Sequence, residues 1–166
     1  MPLLQRLRPD HAQALLAFER ENRAYFAASV PDRGDEYFAH FDARHRELLG
    51  EQAAGLHFFH LVVDDGGEVL GRVNLIDVAD GSAELGYRIA ERAAGRGLAT
   101  AAVRDVCALA AAEYGLTTLR AVTTLDNAGS RAVLERTGFT PTGDIHLDGR
   151  PGLRFVRHLD GGEGLA

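Results

Sequence analysis

Residues 91–102 read ERAAGRGLATAA in one-letter code, placing Gly95 and Gly97 one residue apart just ahead of an alanine-rich run. The stretch before them, SAELGYRI (82–89), alternates like a strand, and the run from Leu98 to about residue 113 carries helical periodicity. A strand, a glycine turn and a helix start together make a site for anions. The first helical turn has unpaired backbone N–H groups and about half a positive charge from the aligned peptide dipoles. Glycine lets the backbone approach a phosphate with no Cβ in the way. A Walker-type loop needs Lys-Ser or Lys-Thr after the last glycine, and here Leu98 and Ala99 follow Gly97. A dinucleotide fingerprint needs a third glycine where Thr100 stands. Both are excluded. What remains is Arg92-x-x-Gly95-x-Gly97, which taken alone also fits a tight turn before a helix.

The 166 residues suit one domain, expected over residues 1–160, with the glycine-rich end 161–166 expected to be a disordered tail. No apolar run approaches the ~20 residues of a membrane span, and the N-terminus lacks the pattern of a signal peptide. Cys107 is the single cysteine, so an internal disulfide is impossible and a cytoplasmic location is the expectation. A net charge of −6 speaks against a nucleic-acid partner and suits a cationic substrate such as an amine.

Outward from the glycine turn the period of the apolar residues sets the element order. Leu3, Leu4 and Leu7 suggest a strand, followed by a helix start at Pro9-Asp10 with Asp10 as cap. Leu15, Leu16 and Phe18 predict a short helix to about Arg23. Tyr37, Phe38, Phe41, His45, Leu48 and Leu49 predict one further helix ending near Gly55. LHFFHLVV and VLGRVNLIDV read as an antiparallel pair across DDGGE, with 82–89 as the next strand. After the central helix, TTLRAVTTL (117–125) reads as a buried strand and DNAGSRAVLERTGF as a helix closed by Gly138. TPTGDIHL and LRFVRHL flank the turn DGRPG. The order is β-α-α-β-β-β-α-β-α-β-β, an α+β fold with a mostly antiparallel sheet and one β-α-β crossover.

The glycine pattern, its upstream strand and the Asn127…Ser130…Gly138-Phe139 segment resemble the GCN5-related N-acetyltransferases, the GNAT superfamily. AELGYRIAERAAGRGLATAA is similar to the ribosomal-protein N-terminal acetyltransferase branch. The resemblance spans residues 3–159 and is densest over 84–139. It implies acetyl-CoA as cosubstrate, with its pyrophosphate on the backbone of residues 95–100. It also implies direct transfer to an amine acceptor, either a small molecule or a protein N-terminus. A homodimer is a further option by family analogy.

In the resemblance Arg92, Gly95, Arg96, Gly97, Leu98, Ala99 and Thr100 form the cofactor turn, and Asn127, Ser130 and Arg131 the second motif. Backbone N–H groups around Tyr87–Ile89 would hold the tetrahedral oxyanion. Arg96 and Arg131 are candidate phosphate partners, or else solvated helix residues. Many members carry a tyrosine acid seven residues after the motif asparagine, where this chain has Leu134. Ser130 is the alternative general acid, or a helix-capping serine, and Asn127 is a cofactor contact or an N-cap. Glu84 is the candidate base, or an exposed strand residue. The demand on a base depends on the acceptor, since an α-amine is roughly 10% neutral at pH 7 and a lysine below about 0.1%.

The aromatics Tyr25, Phe26, Tyr37, Phe38 and Phe41 fall on the acceptor side by resemblance, most of them as core. The histidines lack metal-ligand spacing, so no metal is expected, and Cys107 reads as a small buried residue. Two other functions stay open from sequence: a CoA-binding sensor with little catalysis, suggested by Leu134, and a phosphate-ligand domain unrelated to CoA.

Overall fold

A computed structural model describes residues 2–159, so the segment 161–166 lies outside the described residues. Seven strands form one sheet in the order β1-β2-β3-β4-β5-β7-β6. They are β1 (Leu3–Arg6), β2 (Phe58–Val63), β3 (Val69–Ala79), β4 (Ser82–Ile89), β5 (Thr118–Thr124), β6 (Thr140–Leu147) and β7 (Arg150–His158). All pairs are antiparallel except β4 with β5, which the helix α5 (Leu98–Ala112) connects. The α+β expectation and the strand assignments hold, except that β7 begins at Arg150, inside the expected DGRPG turn, which narrows to Asp148-Gly149.

The helical part between β1 and β2 is more divided than the periodicity suggests. It contains α1 (Ala12–Glu21), α2 (Arg23–Ala27), α3 (Asp35–Ala39) and α4 (Phe41–Ala53). The first break has a visible cause. Asn22 donates its side-chain N–H to the Phe18 carbonyl at 2.9 Å and accepts the Glu91 N–H at 3.0 Å, so its side chain competes with the helical backbone. The second falls at His40, whose φ of −114° and ψ of 29° leave the helical range.

Asp10 is not the cap of the first helix. Pro9–His11 form a 3₁₀ turn, and the ring of His11 accepts the Arg8 N–H at 3.0 Å. Asp10 instead pairs with the Arg8 guanidinium at 3.0 Å on the surface. The imidazole reaches the orphan N–H from within the turn, so the carboxylate is left to the exposed arginine.

The two faces of the sheet are distinguished by register. His60, Val73 and Tyr87 are successive cross-strand partners and share one face, where His60 Nε2 meets the Tyr114 hydroxyl at 2.7 Å just beyond α5. Arg72 and Arg88 are partners on the other face, where both reach Glu19 of α1. The core runs between: Leu15 and Phe18 of α1, Val73 and Leu75 of β3, Ala83 of β4, and Val103, Val106, Cys107 and Ala110 of α5 are all buried. Cys107 is thus the small interior residue expected, and burial pushes its thiol pKa up. Among the described residues, no helix is long and apolar enough to cross a membrane.

The feature that positions the site is a failure of pairing. β4 pairs β5 only over Ser82–Glu84 against Thr118–Arg120, although β4 runs on to Ile89 and β5 to Thr124. Beyond that short ladder the two strands diverge, and each stays bonded to its outer neighbour.

Candidate active site

The divergence of β4 and β5 opens two adjoining cavities of about 500 and 670 Å³. The larger is bounded by Tyr87–Ile89, by Gly95 and Gly97–Thr100 of the glycine turn, and by α6 (Ala128–Arg136). The smaller lies between Leu85–Tyr87 and Ala121–Thr124, under Ala27–Pro31 and beside the β6–β7 turn. Ser29, Val30, Tyr87, Asn127 and Ser130 border both.

Gly95 and Gly97 each have φ of 75°, a left-handed conformation that is costly for residues with a Cβ. A Cβ at either would meet nothing within 4 Å, so the glycines serve backbone conformation and close approach rather than crowding inside the fold. The first α5 hydrogen bond runs from Ala101 N–H to the Gly97 carbonyl at 3.1 Å. Gly97 supplies no side-chain cap, so the N–H groups of 97–100 are left for another acceptor. They stand on the rim of the larger cavity, where an anion would sit.

Strand alternation fixes which backbone groups face the gap. Ala90 donates to the Leu70 carbonyl at 2.8 Å, on the β3 side, while the Gly81 carbonyl accepts from Thr117 and Thr118, on the β5 side. Odd-numbered residues of β4 therefore direct their backbone groups toward β5. Above the ladder these are the N–H groups of Tyr87 and Ile89, which have no strand partner there.

At the start of α6 the Asn127 side-chain oxygen accepts the Ser130 N–H at 3.1 Å, a true N-cap. The helix ends as expected at Gly138, with φ of 91°, and Phe139 N–H returns to the Leu134 carbonyl at 2.9 Å. Ser130 faces the cleft beside Tyr87; burial raises the Tyr87 pKa and the neighbouring Ser130 hydroxyl pulls it back.

The charged candidates separate into groups inside and outside the cleft. Arg92 pairs with Glu68 at 3.0 Å, and Arg96 donates to the Arg92 carbonyl at 3.1 Å. Arg131 donates to the Leu125 carbonyl at 3.0 Å, bracing the β5–α6 turn. None of the three side chains lines either cavity, and neither does Glu84, which sits in the paired part of β4. Arg136 does line the larger cavity, and Asp148 and Arg150 the smaller. Sequence reading passed over all three. Arg136 follows Gly129, Ala132 and Val133 on one helical face, so a helical wheel drawn from the capped end would have found it. Asp148 sits in a turn with φ of 52° and has no comparable local signal.

Residues 3–140 match the family model described as "Acetyltransferase (GNAT) domain". The chain belongs to the GNAT acetyltransferase family. As a GNAT acetyltransferase it moves an acetyl group from acetyl-CoA to an amine. The Bacillus subtilis (strain 168) protein named "Putative ribosomal N-acetyltransferase YdaF" is 30% identical over 131 residues, covering 75% of this chain and 67% of that protein. Among solved structures, ribosomal-protein-S5-alanine acetyltransferase from Vibrio fischeri superposes with a TM-score of 0.88 at 18% identity, covering 96% of this chain and 97% of that one. Mycobacterium smegmatis RimJ in complex with CoA-disulfide gives 0.83 at 23% identity, covering 95% and 81%. Spermidine N-acetyltransferase from Vibrio cholerae, in complex with CoA and spermine, gives 0.78 at 17% identity, covering 96% of each chain. These superpositions carry the GNAT fold, in which the unpaired stretch of β4 and the glycine turn of this chain stand together at one cleft.

Proposed function

We propose that the acceptor of this GNAT acetyltransferase is the α-amine of a polypeptide N-terminus, entering through the smaller cavity. The observation that carries this reading is the composition of that cavity. Among the described residues, Asp148 is its one lining carboxylate, and its one lining arginine, Arg150, is already paired with Asp126. A single carboxylate suits a single ammonium, whereas a polyamine is better held by several. Val30, 41% exposed, stands at the mouth and offers an apolar contact to a following side chain. The named Bacillus subtilis relative supports the same acceptor class.

In this reading the pyrophosphate of acetyl-CoA accepts the free N–H groups of residues 95–100, and Arg136 adds a cation to the same cleft. Asn127 holds the α6 terminus in place as cap. The backbone N–H groups of Tyr87 and Ile89 receive the carbonyl oxygen as it becomes an oxyanion. Asp148 draws in the ammonium, which gives its proton to solvent, a small step for an α-amine of pKa about 8. The leaving sulfur meets the hydroxyl groups of Ser130 and Tyr87 at the junction of the two cavities. Arg92, Arg96 and Arg131 are assigned to bracing the turns that carry these groups, and Glu84, in the paired part of β4, is given no part in the chemistry.

The test is a thiol-release screen with acetyl-CoA against N-terminal peptides, free amino acids, polyamines and aminoglycosides. Peptides should dominate, and Asp148→Asn should raise the peptide KM with little change in acetyl-CoA binding. Preference for polyamines would overturn the acceptor assignment. Tight acetyl-CoA binding with no turnover on any acceptor would favour a CoA-sensing module.

A further inference from the structure

Acetyl transfer releases CoA as a thiolate, which needs a proton as the C–S bond breaks. Resting on the acetyl-transfer reading above, we propose that the phenolic O–H of Tyr87 delivers that proton to sulfur, with Ser130 donating a hydrogen bond to the Tyr87 oxygen.

Position is the first ground. Tyr87 and Ser130 are two of the five residues that border both cavities, so they stand where the acetyl-carrying end of the cofactor meets the acceptor. The α6 position one turn beyond Ser130 is Leu134, which is 1% exposed and has no proton to give. The Tyr87 side chain projects to the α5 face of the sheet, toward Ser130, while its own backbone N–H looks into the gap. One residue of β4 thereby presents an N–H for the developing oxyanion and an O–H for the leaving sulfur.

Acidity is the second ground. Proton transfer is efficient when donor and acceptor are matched, and a phenol of pKa about 10 lies close to a thiol of about 8.5. A serine hydroxyl is a far weaker acid than either and would have to surrender its proton steeply uphill. Its natural part is to donate a hydrogen bond to the phenolate as it forms. Ser130 stands at the same junction of the two cavities, and its hydroxyl favours the deprotonated form of Tyr87 against the effect of burial.

The step balances without any further reagent. The amine lone pair forms the C–N bond, the oxyanion collapses, and the C–S electron pair leaves on sulfur. Sulfur takes the Tyr87 proton and departs as CoA thiol. The proton lost by the new amide nitrogen passes to solvent, and solvent restores the phenol.

Single-turnover acetyl transfer to the best peptide acceptor tests the assignment, with Tyr87→Phe and Ser130→Ala beside the wild type. Tyr87→Phe keeps the ring and its packing, and should slow the step about a hundredfold with the CoA Kd unchanged. Ser130→Ala should slow it about tenfold. The wild-type rate should fall at strongly alkaline pH as the phenol ionises, and that limb should be absent from Tyr87→Phe. A Tyr87→Phe rate within threefold of wild type overturns the proposal, and so does a larger loss in Ser130→Ala than in Tyr87→Phe. A loss in Tyr87→Phe matched by an equal rise in the CoA Kd also overturns it, because the ring would then be acting in binding. Failure of the underlying reading looks different: the wild type itself would release no thiol with any amine.

Discussion

Glu19 of α1 and Arg72 of β3, 53 residues apart in sequence, meet at 2.8 Å with side chains only 1% and 4% exposed. The other carboxylate oxygen of Glu19 receives Arg33 at 3.0 Å and Arg88 at 3.3 Å. One anion thus holds α1, the α2–α3 loop, β3 and β4 together, beside the stretch of β4 that has left its parallel partner. Replacing it by the neutral isostere, Glu19→Gln, leaves three guanidiniums facing one another. A loss of about 3–5 kcal/mol is expected by urea denaturation.

The same group sets an acid limit. Burial works against the Glu19 carboxylate, yet Arg72, Arg33 and Arg88 outweigh it and hold its pKa below the ordinary 4.5. A carboxylate depressed in the fold binds protons more readily in the unfolded chain. Its contribution is therefore complete above about pH 4.5 and is lost as pH falls through the lower folded value. Urea midpoints measured from pH 6 to 3 should fall in this window, and the fall should be shallower in Glu19→Gln.

His60 governs a higher window. Burial, first of all, pushes its pKa from 6.5 down to about 4, against the pull of its hydrogen bond to the Val73 carbonyl. The folded protein keeps the ring neutral while the unfolded chain protonates it. Stability is thus complete above about pH 6.5 and declines as pH drops to about 4, by up to roughly 3 kcal/mol. His60→Gln should flatten the stability curve between these values, at the cost of a lower plateau at pH 8.

Gly97→Ala forces a Cβ into a left-handed position with φ of 75°, a strain of about 1–2 kcal/mol. It also adds a methyl group where the phosphates approach the backbone, so the acetyl-CoA Kd should rise on the order of tenfold. Gly67→Ala is the control. It has φ of 83° in the β2–β3 turn, away from the cleft, and should lose stability without losing cofactor affinity. Equal affinity losses in both would remove the glycine turn from the binding site.

Asn127→Ala removes the acceptor of the Ser130 N–H and should cost about 0.5–2 kcal/mol, whereas Asn127→Asp should keep the cap. Calorimetric titration of CoA with both variants separates capping from direct contact. Affinity retained in the aspartate variant assigns the residue to the cap alone.

Arg136→Ala should weaken CoA binding several-fold at low salt, and less at high salt, because its guanidinium lines the cleft near the surface. Arg131→Ala should leave affinity nearly unchanged while lowering stability, since its guanidinium braces the Leu125 carbonyl. The reverse pattern would restore Arg131 as the phosphate partner.

What was legible in the sequence was short in range. Gly95 and Gly97, the Asn127 cap and the Gly138 helix end are each decided by the chemistry of a few neighbouring residues, and all appear where the sequence puts them. The split between α1 and α2 was hidden because Asn22 bonds Glu91, 69 residues away. Arg96 and Arg131 are phosphate candidates by position, but the direction of a long side chain is set by the partners it finds in the fold, here the Arg92 and Leu125 carbonyls. Asp148 enters the smaller cavity only because β6 and β7 fold back beside β5, which no local pattern announces. The alternation of β4 turns the Tyr87 N–H toward the β5 side. Its hydroxyl gained meaning only with Ser130 beside it, from an element more than 40 residues downstream.

The brief ladder between β4 and β5 has a mechanical consequence. Among the described residues, a three-residue ladder and the Gly81 carbonyl just ahead of it are all that join the β1–β4 half of the sheet to the β5–β7 half through backbone hydrogen bonds. Without cosubstrate the halves should breathe as separate cooperative units, with distinct hydrogen-exchange rates in β4 and β5. An extended pantetheine arm in the gap would offer its amides to the open edges as a surrogate strand. Substrate loading and the wholeness of the sheet would then be the same event, with the enzyme stiffest when it holds its acetyl donor.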